Sequence, residues 1–242
     1  LLHERSAIDP KAKNTRLQSM MKILSVKSIP KLSWSSPQAL TLQPKFPSML
    51  FLFMGLIIFG LGEAILIASS VGVSPWTVLA QGIAENIGWS IGLTTFVISI
   101  CVLSLWIPLK QKPGIGTISN AFIIAVTLDY ALPHLPTFEG FLFNTLMAAT
   151  GVLITGIGGA IYLVANLGPG PRDGLMTGLQ SITGWPIAIV RTMIEISVIF
   201  LGWFLGGTLG IGTVLYAFGI GPSVALGVLG LLMIFKPFSE KM

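Results

Sequence analysis

Residues 55–62, GLIIFGLG, are repeated with small changes as GVLITGIG at residues 151–158, and this repeat is the strongest indication of the fold. When the chain is laid on itself with a shift of 96 residues, positions 55–124 and 151–220 share 25 identities in 70 pairs. Shared use of glycine, isoleucine and leucine alone would give about a tenth. Each copy contains three long apolar stretches, so an odd number of crossings turns the second copy upside down. Such an inverted repeat is typical of membrane transporters.

The composition indicates a protein that is solvated mainly by lipid. Of the 242 residues, 53% are hydrophobic and 10% are charged, whereas a soluble domain carries about 25% charge. A helix of about 20 residues spans the hydrocarbon core, and continuous apolar runs favour helices over a barrel. We therefore expect an all-α, polytopic membrane protein built as a 3+3 inverted repeat with short interfacial or re-entrant helices. Six spans are expected at residues 48–71, 89–109, 115–132, 141–167, 187–206 and 211–235.

The distribution of basic residues predicts the orientation in the membrane. Eight of the fourteen Lys and Arg residues precede the first span, and the loops at 72–88, 134–140 and 207–210 contain none. By the positive-inside rule, both termini should lie in the cytosol. The net charge of +5 then reflects topology, and we expect no nucleic-acid partner.

The chain divides into a tail and two halves. Residues 1–45 are polar, basic and rich in Ser and Pro, which predicts a disordered cytosolic tail. The first repeat should cover residues 46–136 and the second residues 137–242. Within each repeat, a stretch that starts at Pro and ends at Gly fits a helix of two to three turns, at 74–88 and 170–184.

Several motifs of the second half point to a known family. They are LGPGPRDGLMTGL at 167–179, TGW at 183–185, VRT at 190–192 and GIGT at 210–213. With SPWTVLAQG in the first half, they resemble the YczE/YyaS/YitT-type bacterial membrane proteins, and the YczE branch in particular. The likeness covers about residues 50–235 and implies a fold more than a function. It also implies an Asp after the Pro-Trp pair of the first half, where this chain has Thr77.

Ionisable residues at membrane depth are the first candidates for a site, because each costs about 2.5–3.5 kcal/mol on insertion. Arg191 and Glu195 stand one turn apart on one face of the fifth span, with Thr192 beside them. They could bind a polar solute, or form an internal ion pair that fixes helix packing. Glu63 lies in the first span and could bind a cation or proton, or be a neutral carboxyl bonded to a neighbouring helix.

A second set of candidates lies near span ends. Arg172 and Asp173 begin a helix, where free N–H groups attract anions, so they could form an anion-binding gate. Alternatively, Asp173 serves as the N-cap. Asp129 is a further gate candidate, or simply reaches water. Gly219, Gly221 and Pro222 are expected to break the sixth span beside a solute site, although a plain kink is the alternative.

These residues favour a secondary transporter of a small polar or charged solute, coupled to protons or another cation. The site should lie between the first, fifth and sixth spans, at the interface of the repeats. The alternative is a non-transporting membrane protein that supports another membrane, biosynthetic or secretion system. We expect no enzymatic activity, cofactor or metal, because no nucleophile triad, phosphate loop or ligand cluster is visible. The expected partners are the bilayer, the solute and a second copy in a homodimer.

Overall fold

The computed structural model describes residues 29–235, which form an all-helical structure as expected. The α-helices are α1 (Phe46–Ala68), α2 (Pro75–Ile87), α3 (Ile91–Leu105), α4 (Ile115–Ala131), α5 (Phe141–Ala165), α6 (Pro171–Thr183), α7 (Ile187–Phe204) and α8 (Ile211–Ile234). A 3-10 turn, Leu132–His134, extends α4. Five helices, α1, α4 with its 3-10 turn, α5, α7 and α8, are long and apolar enough to cross a membrane. A sixth span results if α2 and α3, which are bent by 115°, count as one.

The second expected span is shorter than its apolar stretch. Helix α3 has 15 residues, which at 1.5 Å per residue covers roughly 22 Å. It begins at Ser90, whose Oγ accepts a hydrogen bond from Leu93 N. It ends in a turn at Trp106, whose indole N–H donates to the Pro171 carbonyl over 3.0 Å. This bond joins the end of α3 to the start of α6.

The two short helices that were expected from a proline at the start and a glycine at the end are both present. Both α2 and α6 have 13 residues and start at a proline, whose fixed φ suits the first helical position. Both end at a glycine, Gly88 or Gly184, with φ of 70°. This left-handed C-cap conformation favours glycine.

Glycines let α1 and α5 approach closely enough to form the centre of the molecule. A Cβ atom at Gly55 would lie 2.6 Å from the Tyr162 backbone nitrogen, and one at Gly151 would lie 2.8 Å from Leu66 N. Any larger residue at these positions would separate the helices. The spacing of small residues thus acts here as it does in other helix pairs in membranes. On its other side, α5 packs against α8.

Contacts between the halves recur at positions 96 residues apart. The Gly116 N–H donates to the Leu167 carbonyl over 2.7 Å, and the Gly212 N–H donates to the Val71 carbonyl over 2.8 Å. The glycine that follows each acceptor has the same φ, +112°. Each half therefore holds the turn of the other through the same bond.

One pair of helices breaks this equivalence. Asp129 on α4 accepts hydrogen bonds from Ser90 Oγ (2.6 Å) and Gly92 N (2.8 Å), which clasps α3 to α4. The corresponding residues of the second half are Pro186, Ala188 and Ala225, which offer neither the carboxylate nor the close approach of glycine. In the described chain, α7 packs on α2 and α6 but has no extensive interface with α8.

The segment 32–36 corrects the prediction of a disordered tail over residues 1–45. Ser35 is fully buried; its Oγ accepts from Leu32 N (2.8 Å) and donates to the Val164 carbonyl (2.6 Å) at the end of α5. The prediction was wrong here because contacts with the end of α5 order this segment. Its own sequence has no helical or strand periodicity from which such order could be predicted. The same expectation for the N-terminal residues before this described part lies outside the structure.

The expected break in the sixth span is also wrong. Helix α8 is continuous, with Pro222 inside it. A proline removes one hydrogen bond of the helical ladder, and packing can compensate. Its neighbour Ser223 is buried against Gly156 of α5, which holds this part of α8 in place.

Candidate functional site

A cavity of about 570 Å³ lies where the two halves meet. Apolar side chains such as Phe59, Ile124, Leu163 and Ile220 form part of its wall. The remainder includes residues that stand 96 positions apart in sequence. These pairs are Ser74 and Gly170, Trp76 and Arg172, Thr95 and Arg191, Ser99 and Glu195, and Asn120 and Tyr216. The glycine-rich helices α1 and α5 form the packed centre beside the cavity. The lining residues at corresponding positions of the two halves differ in polarity and charge.

Two of the sequence-predicted residues form an ion pair at the cavity. Arg191 Nε lies 2.8 Å from Glu195 Oε1, as expected for residues one turn apart on α7. Both residues line the cavity. The contact is therefore compatible with solute binding and with an internal ion pair that fixes helix packing. The Arg191 side chain is 51% exposed, which indicates that the cavity is open on the side of α7. Thr192, in contrast, is exposed and does not line the cavity.

Arg172 and Asp173 also line the cavity, at the start of α6. Gly170 occupies the N-cap position, so the interpretation of Asp173 as the N-cap is wrong. Instead, Asp173 Oδ2 accepts a hydrogen bond from the Tyr162 hydroxyl over 2.9 Å. The guanidinium carbon of Arg172 lies 5.2 Å from the centre of the Trp76 ring. Within residues 29–235, neither charge has an ion-pair partner.

Glu63 lies immediately behind the cavity wall. It is 2% exposed, and its Oε2 accepts hydrogen bonds from Ser74 Oγ (2.7 Å) and Thr77 Oγ1 (2.9 Å). Its other oxygen has no partner among the described residues. Because Ser74 lines the cavity, its hydroxyl connects this buried carboxyl to the cavity. Thr77, which replaces the Asp expected from the family resemblance, binds the same carboxyl oxygen.

The other predicted residues divide between the cavity and its surroundings. Gly221 and Pro222 of α8 line the cavity. Gly219 does not, and a Cβ atom there would lie 3.0 Å from Val152. Asp129 lies away from the cavity, where it holds the start of α3.

Sequence reasoning missed several polar residues of the cavity. Tyr162 and Tyr216 are two of only three tyrosines in the chain, and both line the cavity. Asn120, the counterpart of Tyr216, also lines the cavity. These residues could have been found by searching the apolar spans for uncharged polar side chains. They were missed because formal charge was the main criterion for a candidate at membrane depth.

Two buried polar atoms of the lining residues have no hydrogen-bond partner in the described part of the chain. They are the indole nitrogen of Trp76 and the hydroxyl of Thr95. Both residues are buried, at 7% and 3% exposure. Buried polar groups are normally paired, so these two donors are candidates to contact a ligand in the cavity. Residues 29–235 contain no group of three His, Cys, Asp or Glu side chains that could hold a metal ion.

Comparisons with known proteins agree on the class of molecule. Residues 46–227 match the model of a family described as "Family of unknown function (DUF6198)". A Haemophilus influenzae protein is 41% identical over 199 residues, which is 82% of this chain and 90% of the relative. The "Uncharacterized membrane protein YczE" of Bacillus subtilis is 33% identical over 69% of this chain and 79% of its own length.

A second Bacillus subtilis relative is more distant. It is the protein YyaS, which is 28% identical over 78% of this chain and 92% of its own length. No solved structure matches the fold. Together with the apolar helices, these relatives identify a multi-pass integral membrane protein.

Proposed function

The chain belongs to family DUF6198 and to the YczE-type membrane proteins, and we propose that it is a secondary transporter of a small polar or charged solute. The observation that carries the proposal is the cavity, which is lined by corresponding positions of the two halves and contains two charges with no ion-pair partner in the described part of the chain. Ionisable side chains at membrane depth commonly mark solute and ion pathways.

The repeated contacts support an inverted arrangement of the halves. The equivalent bonds from Gly116 to Leu167 and from Gly212 to Val71 are what a two-fold axis between homologous units produces. If α2 and α3 count together as one crossing, each half has three crossings, and the axis lies in the membrane plane. Both termini then face the cytosol of a bacterial inner membrane, in agreement with the positions of the basic residues.

The difference between α3–α4 and α7–α8 supports alternating access. The clasp of Asp129 on Ser90 and Gly92 closes one side, whereas α7 and α8 leave the other side open. In the proposed orientation, the open side faces the cytosol and Asp129 belongs to the outer gate. The reverse state would release α3 from α4 and bring α7 against α8. Arg172 and Asp173, in the first turn of α6, would form part of the cytosolic gate.

Glu63 is the proposed coupling group. A buried carboxyl with one unpartnered oxygen can take up a proton or a small cation. Ser74 Oγ bonds to it and lines the cavity, so loading of Glu63 and of the cavity can influence each other. The Arg191–Glu195 pair would contact the solute and reorganise when the solute binds.

A flux measurement in proteoliposomes tests the proposed function. The parent protein should accumulate solutes from a broad panel in response to an imposed proton or sodium gradient. We expect Glu63→Gln to abolish the gradient response, and Arg191→Ala and Glu195→Gln to lower solute flux. Glu139→Gln, in the loop before α5, is the control and should transport like the parent. Folded protein that moves no solute of the panel under either gradient would contradict the proposal.

The second candidate, a membrane protein that supports another system without transport, has one specific observation in its favour. In α7, only Val190, Val198 and Gly202 are buried, so most of this helix is available to a partner protein or to a second copy. This function predicts that the purified protein neither binds nor moves solute, and that it copurifies with its partner from native membranes. Gradient-driven flux by the isolated protein would rule it out.

A further inference from the structure

Two opposite charges of the cavity have no ionic partner among residues 29–235, and they are neighbours in sequence. Arg172 makes a cation–π contact with Trp76, and Asp173 accepts one hydrogen bond from Tyr162. The ion pair of the described chain joins Arg191 to Glu195 instead. Arg172 is half-buried and Asp173 is exposed within the cavity lining, so a ligand can reach both charges. Charge-assisted hydrogen bonds are stronger than neutral ones, which favours a ligand that meets both Arg172 and Asp173.

Neutral groups around these charges are also free to bind. The Trp76 indole N–H and the Thr95 hydroxyl have no partner among the described residues. Tyr216 is 9% exposed and lines the cavity. Trp76 lies beside Arg172 and Tyr162 lies beside Asp173, so each charge has a polar aromatic neighbour.

We propose that the cavity binds a zwitterion, that is, a small molecule with a carboxylate and a protonated amine. The carboxylate would contact Arg172 and the Trp76 N–H, and the amine would contact Asp173. An apolar body would rest on the wall that includes Phe59, Ile124 and Ile220. This inference rests on the proposed transport function and names its class of solute.

Charge balance separates a zwitterion from simpler ligands. Arg172 and Arg191 carry two positive charges, and Asp173 and Glu195 carry two negative charges, so the four residues sum to zero. A simple anion would satisfy Arg172 but leave Asp173 beside a second negative charge. A simple cation would do the reverse. Complementary charge placement of this kind chiefly sets specificity.

The test compares ligands that share a body and differ only in charge. The first series is L-phenylalanine, 3-phenylpropanoate and 2-phenylethylamine, and the second is L-leucine, 4-methylpentanoate and 3-methylbutylamine. Binding to the full-length purified protein is measured by calorimetry and by thermal stabilisation. In at least one series, the zwitterion should bind about tenfold or more tightly than either single-charge analogue, which corresponds to one lost contact of about 1.4 kcal/mol.

Variants then assign each charge. In Arg172→Gln, the zwitterion and the amine should bind with about the same affinity, because the carboxylate of the zwitterion loses its partner. In Asp173→Asn, the advantage over the carboxylate analogue should disappear in the same way. Glu139→Gln should preserve both ratios. Each ratio is measured within one variant, so a lower folded fraction does not affect it.

Several outcomes would overturn the zwitterion site. They are equal or tighter binding of the carboxylate analogue or the amine, ratios that stay unchanged in both variants, and no binding by either zwitterion. Transport is tested separately. Zwitterion binding without gradient-driven flux would contradict transport and preserve the site. Flux restricted to simple anions or cations would preserve transport and remove the zwitterion assignment.

Discussion

The guanidinium carbon of Arg172 lies 5.2 Å from the centre of the Trp76 ring, and these two residues occupy the same position in the two halves. Under the proposed two-fold arrangement, residues related in this way would meet only close to the axis. The cavity contains five such pairs with at least one polar or charged member, and sequence differences within the pairs place different chemistry on its walls. The short helices α2 and α6 have the same length and the same kind of ends, whereas the ionisable side chains of the halves differ.

Close packing of α1 on α5 predicts a large effect from a small substitution. A Cβ atom at Gly62 would lie 2.8 Å from the Gly151 carbonyl oxygen, so Gly62→Ala should lower the free energy of unfolding by about 1–3 kcal/mol. Gly230→Ala is the matched control on α8, since a Cβ there meets nothing within 4 Å. Thermal unfolding in detergent measures both. Equal stability of the two variants would contradict the packing account.

The buried carboxyl predicts a separation of binding from coupling. Glu63→Gln keeps an oxygen that can accept from Ser74 and Thr77, so the protein should remain folded and bind solute. It cannot take up a proton, and uptake driven by a pH gradient should stop while exchange without a gradient continues. Parallel uptake and exchange assays measure this. Loss of both activities in a well-folded variant would show that Glu63 does not act as a separate coupling group.

The clasp between α3 and α4 predicts a change in access to the cavity. Asp129→Ala removes the acceptor of the Ser90 and Gly92 bonds, so the outer side should open more often. A Cys101→Ser background with Asn120→Cys as reporter allows labelling of the cavity by an impermeant maleimide. We expect faster labelling from outside in Asp129→Ala than in the parent. An unchanged rate would remove Asp129 from the gate.

The N-terminal segment that packs on α5 predicts a contribution to stability. Ser35 is fully buried and bonds both to Leu32 and to Val164. Ser35→Ala should therefore cost about 1–3 kcal/mol of unfolding free energy, because it leaves buried polar groups unpaired. Thr41→Ala is the control, since the Thr41 hydroxyl makes only an exposed bond to Gln43 N. A stability loss no larger than that of the control would show that the segment is not anchored.

The features predicted well from sequence are those with local causes. The bounds of α2 and α6 follow from Pro75, Pro171, Gly88 and Gly184, because each residue fixes a helix end on its own. Spacing along one helix likewise predicts the Arg191–Glu195 contact. The glycines of the repeated stretches 55–62 and 151–158 lie where α1 and α5 approach closely.

The features missed depend on contacts between distant parts of the chain. Asn120 and Tyr216 lie within apolar spans, and only the assembled helices show that they share a cavity. Continuity of α8 through Pro222 depends on packing against α5. The anchoring of Ser35 requires the end of α5, which no local pattern reveals.

Site-directed labelling of two corresponding loop residues tests the inverted arrangement most directly. Lys112, between α3 and α4, and Thr208, between α7 and α8, stand 96 positions apart and are both exposed. Single Lys112→Cys and Thr208→Cys variants in a Cys101→Ser background are treated with an impermeant thiol reagent in intact cells and in inverted vesicles. The account predicts that residue 112 reacts only from the cytosolic face and residue 208 only from the opposite face. Reaction of both from the same face would contradict it.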